Sequence, residues 1–377
     1  MPYSAVSSHS TAAIYIAGPE VLYVGGDQEL SWMRKLAETR GFNVTLPNDD
    51  PLVLGNEDRR LDADAIFANC AIQMNQSDVI ICDLDSYRGT EPDGGSIYEL
   101  GMAYGRGLRI ISFTRDKRAL ALKDPNVVLR GGEAFDREGR RYPYAHLPFA
   151  PSVLGSSKII EGDFDDALRQ LQVDLEEESK ARARGTQAAE ATRDSGMKPV
   201  SGQEPHRPLR VYFASPDRFL VDAEAYYTRL RRLCEPYGWE VITPLDDAPG
   251  IPRLADADPW AQAYNTFDHY QRHVRDCDVV VADLNDYHGW EPNSDTSFEC
   301  GLAFQLGKPT VGYMSDTRRM IDRIPNRGRE WQYADLSGAK AENFDYPINL
   351  MFAASMPILQ GTLEDLLPGI AEHVSRA

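Results

Sequence analysis

Residues 78–103 read DVIICDLDSYRGTEPDGGSIYELGMA, and residues 278–303 read DVVVADLNDYHGWEPNSDTSFECGLA. The stretches align without a gap at an offset of 200. Eleven positions are identical: Asp78, Val79, Asp83, Leu84, Tyr87, Gly89, Glu91, Pro92, Glu99, Gly101 and Ala103. Self-similarity at a fixed offset marks an internal repeat. It extends outward: IYIAGPE (14–20) matches VYFASPD (211–217), GFNVTLPNDD (41–50) matches GWEVITPLDD (238–247), and IIEGDFDDAL (159–168) matches ILQGTLEDLL (358–367). The chain therefore reads as a tandem duplication, with one copy in 1–175 and the other in 209–377. Between them, 176–208 is polar, rich in Ala, Gly, Ser and Pro, and nearly free of large apolar residues. Such a segment buries no core and reads as a linker whose first part extends the preceding helix.

Within each copy, apolar strand signals alternate with helical ones. AAIYIAG and DVIICDL are short apolar runs, as are FNVTLP and LRIISFT, whereas 27–40, 62–76, 95–106 and 163–178 have helical length and pattern. This alternation predicts an α/β fold, a doubly wound parallel sheet covered on both faces. Ligands in such folds bind beyond the carboxyl ends of the strands.

Composition narrows the partners. The 377 residues carry 58 Asp plus Glu against 40 Lys plus Arg, a net charge of −18. Phosphates would be repelled over most of such a surface, so neither a nucleic acid polymer nor an anionic membrane is expected as partner. No apolar run approaches the roughly 18 residues of a membrane-spanning helix. The N-terminus lacks the basic start of a signal peptide. Five unclustered cysteines predict a reducing compartment, the cytoplasm, with neither a disulfide framework nor a zinc site. His269 and His273 share helical spacing but lack local cysteine partners, so they carry no metal expectation.

The chemistry falls at the strand ends. The first strand ends near Tyr15, Gly18 and Pro19, the second at Pro47, Asn48, Asp49 and Asp50, and the third at Asp83 and Asp85. The loop GTEPDGGS and a helix carrying Glu99 follow. Converging carboxylates raise one another's pKa values, and such clusters bind a metal or perform acid–base and nucleophilic work. Glu99 is the sharpest residue: Ile97, Tyr98, Leu100 and Met102 make its helix apolar, and Gly95 and Ala103 share its face. A lone helical Glu is ordinarily solvated, but this one recurs as Glu299 in an equally apolar helix. Asp93 reads either as the helix N-cap or as a site residue, and Asp83 either as a turn cap or as a site residue. Asp78 and Asp278 read as structural, and Glu91 and Glu291 as loop-surface residues. Gly94-Gly95 is not a dinucleotide fingerprint, and GxSxG, HExxH and Walker A patterns are absent.

AGPE after the first strand, the LPND and TPLD elements, CDLDSYRGTEPDGGSIYELGMAYG, and NLM at 349–351 resemble the nucleoside 2-deoxyribosyltransferases. The resemblance covers nearly all of both copies. It implies flavodoxin-like domains, no metal or organic cofactor, and small-molecule partners, a nucleoside and a free nucleobase. Glu99 resembles the nucleophile that attacks C1′ of the deoxyriboside, giving a covalent glycosyl intermediate and retention. Tyr15 resembles the tyrosine that holds this carboxylate. Asp83 and Asp93 resemble the pair that grips and protonates the departing base. Gly18, Asp49, Gly95 and Ser96 fall at its substrate-binding positions.

The copies do not match the family equally. Copy two keeps Tyr212, Asp283 and Glu299, but Asn293 replaces Asp93 and Asp295 replaces Gly95. Asn cannot shuttle a proton as a carboxyl does. In family oligomers an Asn near the C-terminus reaches the neighbouring subunit's site, and Asn349 fits that position. The matching stretch of copy one offers Ala150 or Pro151 instead. The resemblance thus implies an internal pseudo-dimer, open to further homo-oligomer assembly, with a competent site at Glu99 and a degenerate one at Glu299. Two alternatives stay open: an N-glycosidase that hydrolyses nucleosides or nucleotides with water as acceptor, for which Ser86, Arg88 and Ser96 could hold phosphate, and a non-catalytic nucleoside- or nucleotide-binding module.

Overall fold

The structure, a computed structural model, describes residues 12–47, 49, 52, 54–142, 144–183, 207–246 and 258–375. Asn48, Asp50 and 184–206 of the linker lie outside the described residues. Copy one runs β1 (Ala13–Ala17), α1 (Gly26–Thr39), β2 (Asn43–Thr45), α2 (Arg59–Asn75), β3 (Val79–Asp83), α3 (Gly94–Arg106), β4 (Arg109–Thr114), a short α4 (Leu120–Lys123), a hairpin of β5 (Val128–Arg130) and β6 (Glu133–Phe135), α5 (Pro151–Ser156), β7 (Lys158–Glu161) and α6 (Phe164–Ala183). Copy two runs β8 (Arg210–Ala214), α7 (Ala223–Cys234), β9 (Glu240–Ile242), α8 (Pro259–Asp276), β10 (Val279–Asp283), α9 (Ser294–Gln305), β11 (Thr310–Met314), a short α10 (Met320–Arg323), α11 (Leu350–Ala353), β12 (Ile358–Gln360) and α12 (Leu363–Val374). Helix α6 thus carries the chain five residues past the expected 178, into the segment read as linker.

The two sheets have the same strand order, β2-β1-β3-β4-β7 and β9-β8-β10-β11-β12, and every neighbouring pair is parallel. This is the flavodoxin-like order, with its switch point between β1 and β3. The central strand β3 is buried along its whole length because helices cover both faces. Its alternate residues divide two cores. Ile14, Ile16, Val79 and Ile81 pack outward against Leu30 and Met33 of α1 and Phe164 and Leu168 of α6. Tyr15, Ile80 and Cys82 face inward and join Tyr212, Val280 and Ala282 of the second sheet in one continuous core. Each fully buried Leu or Phe there contributes roughly 1.5–3 kcal/mol relative to exposure.

The copies therefore pack as a pseudo-dimer through α3 and α9. These helices touch backbone to backbone. A Cβ on Gly101 would lie 2.1 Å from the Phe298 carbonyl oxygen, and one on Gly301 would lie 1.9 Å from that of Tyr98. Gly89 and Gly289 form an antiparallel bridge between the copies, with Thr90 N–H donating to His288 and Trp290 N–H to Arg88.

This packing corrects the reading of Glu91 and Glu291 as surface residues. They are 4% and 2% exposed. Glu291 accepts a hydrogen bond from the Gly94 amide at the start of α3 (3.2 Å), and Glu91 accepts one from the Ser294 hydroxyl at the start of α9. Each carboxyl faces the positive end of the other copy's helix, where unpaired N–H groups favour an anionic oxygen.

Candidate active site

The carboxyl ends of β1 and β3 and the start of α3 converge in copy one. Inward-facing Tyr15 donates its hydroxyl to Oε1 of Glu99 at 2.5 Å. Glu99 lies on the second turn of α3 and is 6% exposed. Burial pushes its carboxyl up to about 8; the Tyr15 bond pulls it down and the charge of Asp93 raises it. The apolar helix read from the sequence produces this desolvation.

Asp93 is both cap and site neighbour. Its Oδ2 accepts the Ser96 amide and hydroxyl, each at 2.7 Å, and so starts α3. Its Oδ1 is buried without a hydrogen-bond partner. Burial raises its pKa, and the Ser96 bonds oppose that rise. Ser96 is thereby committed to Asp93.

Asp83 also does two things. Its Oδ1 accepts the Asp85 amide at 2.7 Å, capping the turn. Burial, with the charge of Asp85, lifts it to about 6, while Arg115 at 4.0 Å opposes the rise. Beside it sits Glu20, which is buried, has an unpartnered Oε2, and is pushed well up by burial and by Asp83. Gly18 permits this pairing: a Cβ there would lie 2.0 Å from the Glu20 Oε2. A cavity of about 370 Å³ lined by Glu20, Tyr23, Asp83 and Arg115 opens onto these carboxyls.

Asn349 crosses from copy two. It caps α11, its Oδ1 accepting the Met351 amide at 2.9 Å, and its carboxamide lies directly over Gly95. Ala150 occupies the corresponding cap of α5 and resolves the Ala150-or-Pro151 choice.

Asp49 is placed differently. It pairs with Arg34 and accepts the Leu46 amide at 2.8 Å. Copy two repeats this with Asp246, Arg231 and the Thr243 amide. The shared arrangement locks the loop after β2 or β9, and no hydrogen bond or ion pair among the described residues joins Asp49 to Glu99, Asp83 or Asp93. Asp78 and Asp278 bind the backbone amides of Ala13 and Arg210, a structural role. The Arg88 side chain is buried, its Nη2 donating to the Lys340 carbonyl and its Nη1 lying 3.9 Å from Glu291.

The second site keeps one half of this constellation. Tyr212 donates to Glu299 Oε1 at 2.5 Å. Asp283, lifted to about 6 by burial and then by the charge of Asp217, receives the Asn285 amide and carboxamide. Asn293 caps α9. Asp295, however, has a side chain where Gly95 has none, and its Oδ1 accepts the Ser152 amide (3.0 Å) and hydroxyl (2.7 Å) of α5. It thus fills the side that Asn349 occupies in copy one. Arg218, where copy one has Val21, is 1% exposed, and none of its three guanidinium nitrogens has a hydrogen-bond partner. It packs against Phe219 and Tyr270 and lines a larger cavity, about 640 Å³, with Tyr142 and Tyr144.

Glu20, Arg218 and Glu342, whose carboxyl senses the charge of Asp93, were not singled out from sequence. Glu20 stood in the quoted AGPE and matches Asp217, which was a usable signal. Among the described residues, no group of three or more His, Cys, Asp or Glu is arranged to hold a metal ion, and no helix is long and apolar enough to cross a membrane.

The family model described as nucleoside 2-deoxyribosyltransferase matches residues 14–149 and 211–351, one match in each copy. Among solved structures, a 2-desoxiribosyltransferase from Leishmania mexicana is 28% identical over 44% of this chain and 99% of its own, with a TM-score of 0.36. A 2-deoxyribosyltransferase from Bacillus psychrosaccharolyticus is 19% identical over 28% of this chain and 71% of its own, with a TM-score of 0.22. A conserved protein from Enterococcus faecalis V583 is 17% identical over 45% and 99%, with a TM-score of 0.29. No curated protein sequence matches the chain.

Proposed function

The chain belongs to the nucleoside 2-deoxyribosyltransferase family, and on that premise we propose that it moves 2-deoxyribose between nucleobases at a single site built around Glu99. The observation that carries this reading is the buried Glu99 carboxyl, held by Tyr15, with Asn349 of the other copy lying over the same helix start.

In the proposed reaction, Glu99 first passes the proton that burial holds on it below about pH 8 to the Asp83–Asp93 pair, and its carboxylate oxygen then bonds to C1′ as the C1′–N bond of the nucleoside breaks. The bond's electron pair stays on the base nitrogen, and a proton from the Asp83–Asp93 side neutralises the departing base. Burial raises the Asp83 carboxyl above its ordinary range, which suits it to exchange that proton near neutral pH. Asp93 offers the unpartnered Oδ1. The second base then attacks C1′, releases Glu99 and returns its proton. Two displacements retain the anomeric configuration. Tyr15 orients Glu99 and lowers its pKa, and Asn349 holds the sugar. Copy two acts as the donor of Asn349, because Asp295 fills its own site and Asn293 replaces the acid.

Product analysis with and without a second free base tests this. Base exchange supports the transferase. Free deoxyribose in equal amounts in both conditions would mean that water is the acceptor. A deoxyribose-type adduct on Glu99, trapped with a 2-fluoro-arabinosyl nucleoside, would exclude a purely binding role.

A further inference from the structure

The second copy contributes more than Asn349 to the Glu99 side of the molecule. Its residues 338–342 lie along 22–24 of copy one. The Val24 amide donates to the Gly338 carbonyl at 3.0 Å, the Lys340 amide donates to the Leu22 carbonyl at 2.7 Å, and Tyr23 and Ala339 form an antiparallel bridge. Arg88 donates to the Lys340 carbonyl, and Ala339 and Ala341 are buried. This strap ends at Glu342. There the Glu342 Oε2 accepts the Leu350 amide at 2.8 Å, next to the Met351 amide that Asn349 caps.

Helix α11 has four residues. A helix of one turn has no cooperative stability of its own, so its caps decide where it sits. Two side-chain oxygens hold its first two amides. One belongs to Asn349 and the other to Glu342, which the strap anchors to copy one. Burial lifts the Glu342 carboxyl to about 8; the Leu350 amide and Arg88 oppose this and the charge of Asp93 adds to it. Glu342 therefore borders the same carboxyl cluster. At the corresponding sequence position copy one has Pro143, which has no carboxyl to offer the second site.

We propose that Glu342 is a positioning residue for the Glu99 site: through the Leu350 amide it holds α11 so that the Asn349 carboxamide stays over Gly95. This rests on the one-site reading above. Glu342 acts through Asn349, and its hydrogen-bonding reach matters rather than its charge.

The test is steady-state base exchange by the full chain carrying E342Q, E342D, E342A, N349A or E342A/N349A, each with an unfolding midpoint. E342Q keeps the acceptor and should stay within about threefold of wild type. E342D keeps the charge but is one methylene short, and like E342A it should lose roughly tenfold in kcat/KM, the equivalent of one lost hydrogen bond. The double variant should be no worse than N349A alone. Full activity in both E342A and E342D, losses of E342A and N349A that multiply, or a charge-neutral E342Q that fails while E342D is active would each overturn the proposal. If E342A does not fold, E342Q against E342D still decides. Full activity in N349A would instead sink the one-site reading on which the proposal stands.

Discussion

The Asn349 carboxamide occupies the space that a side chain on Gly95 would need. A Cβ built on Gly95 would fall 2.6 Å from Nδ2 and 2.7 Å from Oδ1 of Asn349. Since Asn349 is buried and committed to the Met351 amide, it has little room to yield. Gly95→Ala should therefore displace it and lower kcat/KM by about 100-fold, the scale of a 1 Å misplacement at a reacting centre. Gly95→Asp, which copies the second site, should abolish base exchange while the chain stays folded by circular dichroism. Wild-type turnover in Gly95→Asp would remove the steric argument.

The two glutamates held by tyrosines should differ in consequence. Glu99→Ala should abolish base exchange, whereas Glu299→Ala should leave most of it. Initial rates with saturating nucleoside and acceptor base decide this, and the reverse result would move the reaction to the second copy.

Glu99 should also make stability depend on pH. Its folded pKa of about 8 lies above its ordinary 4.5, so the folded state binds the proton more tightly than the unfolded state does. Its contribution is then complete below about 4.5 and is lost as pH rises through 8. Glu99→Gln removes that loss. Its stability advantage over wild type should grow between pH 5 and pH 9 by a few kcal/mol. Urea unfolding of both proteins at several pH values measures this; an advantage independent of pH would contradict the shift.

Arg218 is a desolvated guanidinium without a hydrogen-bond partner. Arg218→Met keeps the aliphatic stem against Tyr270 and removes the unsatisfied charge. Unfolding free energy should rise by about 1–3 kcal/mol, the desolvation penalty of a buried donor left unpaired, with base exchange unchanged. A lower urea midpoint would show that the guanidinium is compensated by its neighbours Glu299 and Asp295.

Much of this was readable beforehand because it is repeated. The parallel order, the apolar helix around Glu99 and the Asp93 cap all have counterparts at an offset near 200, and repetition is itself a signal; the Tyr15 partnership is implied only by the family resemblance. Glu91 and Glu291 also repeat, yet they are buried where the copies meet. A loop carboxylate before proline says nothing of a second helix N-terminus arriving from another copy. Asp49 repeats as Asp246 too, but as a loop lock, because an arginine one helix away claims it. Arg218 and Glu342 carry no such signal: Val21 and Pro143 stand at their matching positions, so repetition does not mark them. What the sequence could not express was which face of one copy meets the other.

The exchange between positions 95 and 295 has a consequence for inheritance. In a homodimer of separate identical chains, any substitution appears on both sides of the axis at once. A change from Gly to Asp would then close both crevices, and an Asn retained for one would be retained for both. Encoding the two halves in a single reading frame lifts that symmetry. One half keeps the open helix start while the other gains an aspartate that braces α5 through Ser152. On the one-site reading proposed above, neither half can be exchanged for a second copy of its sibling, and the gene transmits the two roles as a unit.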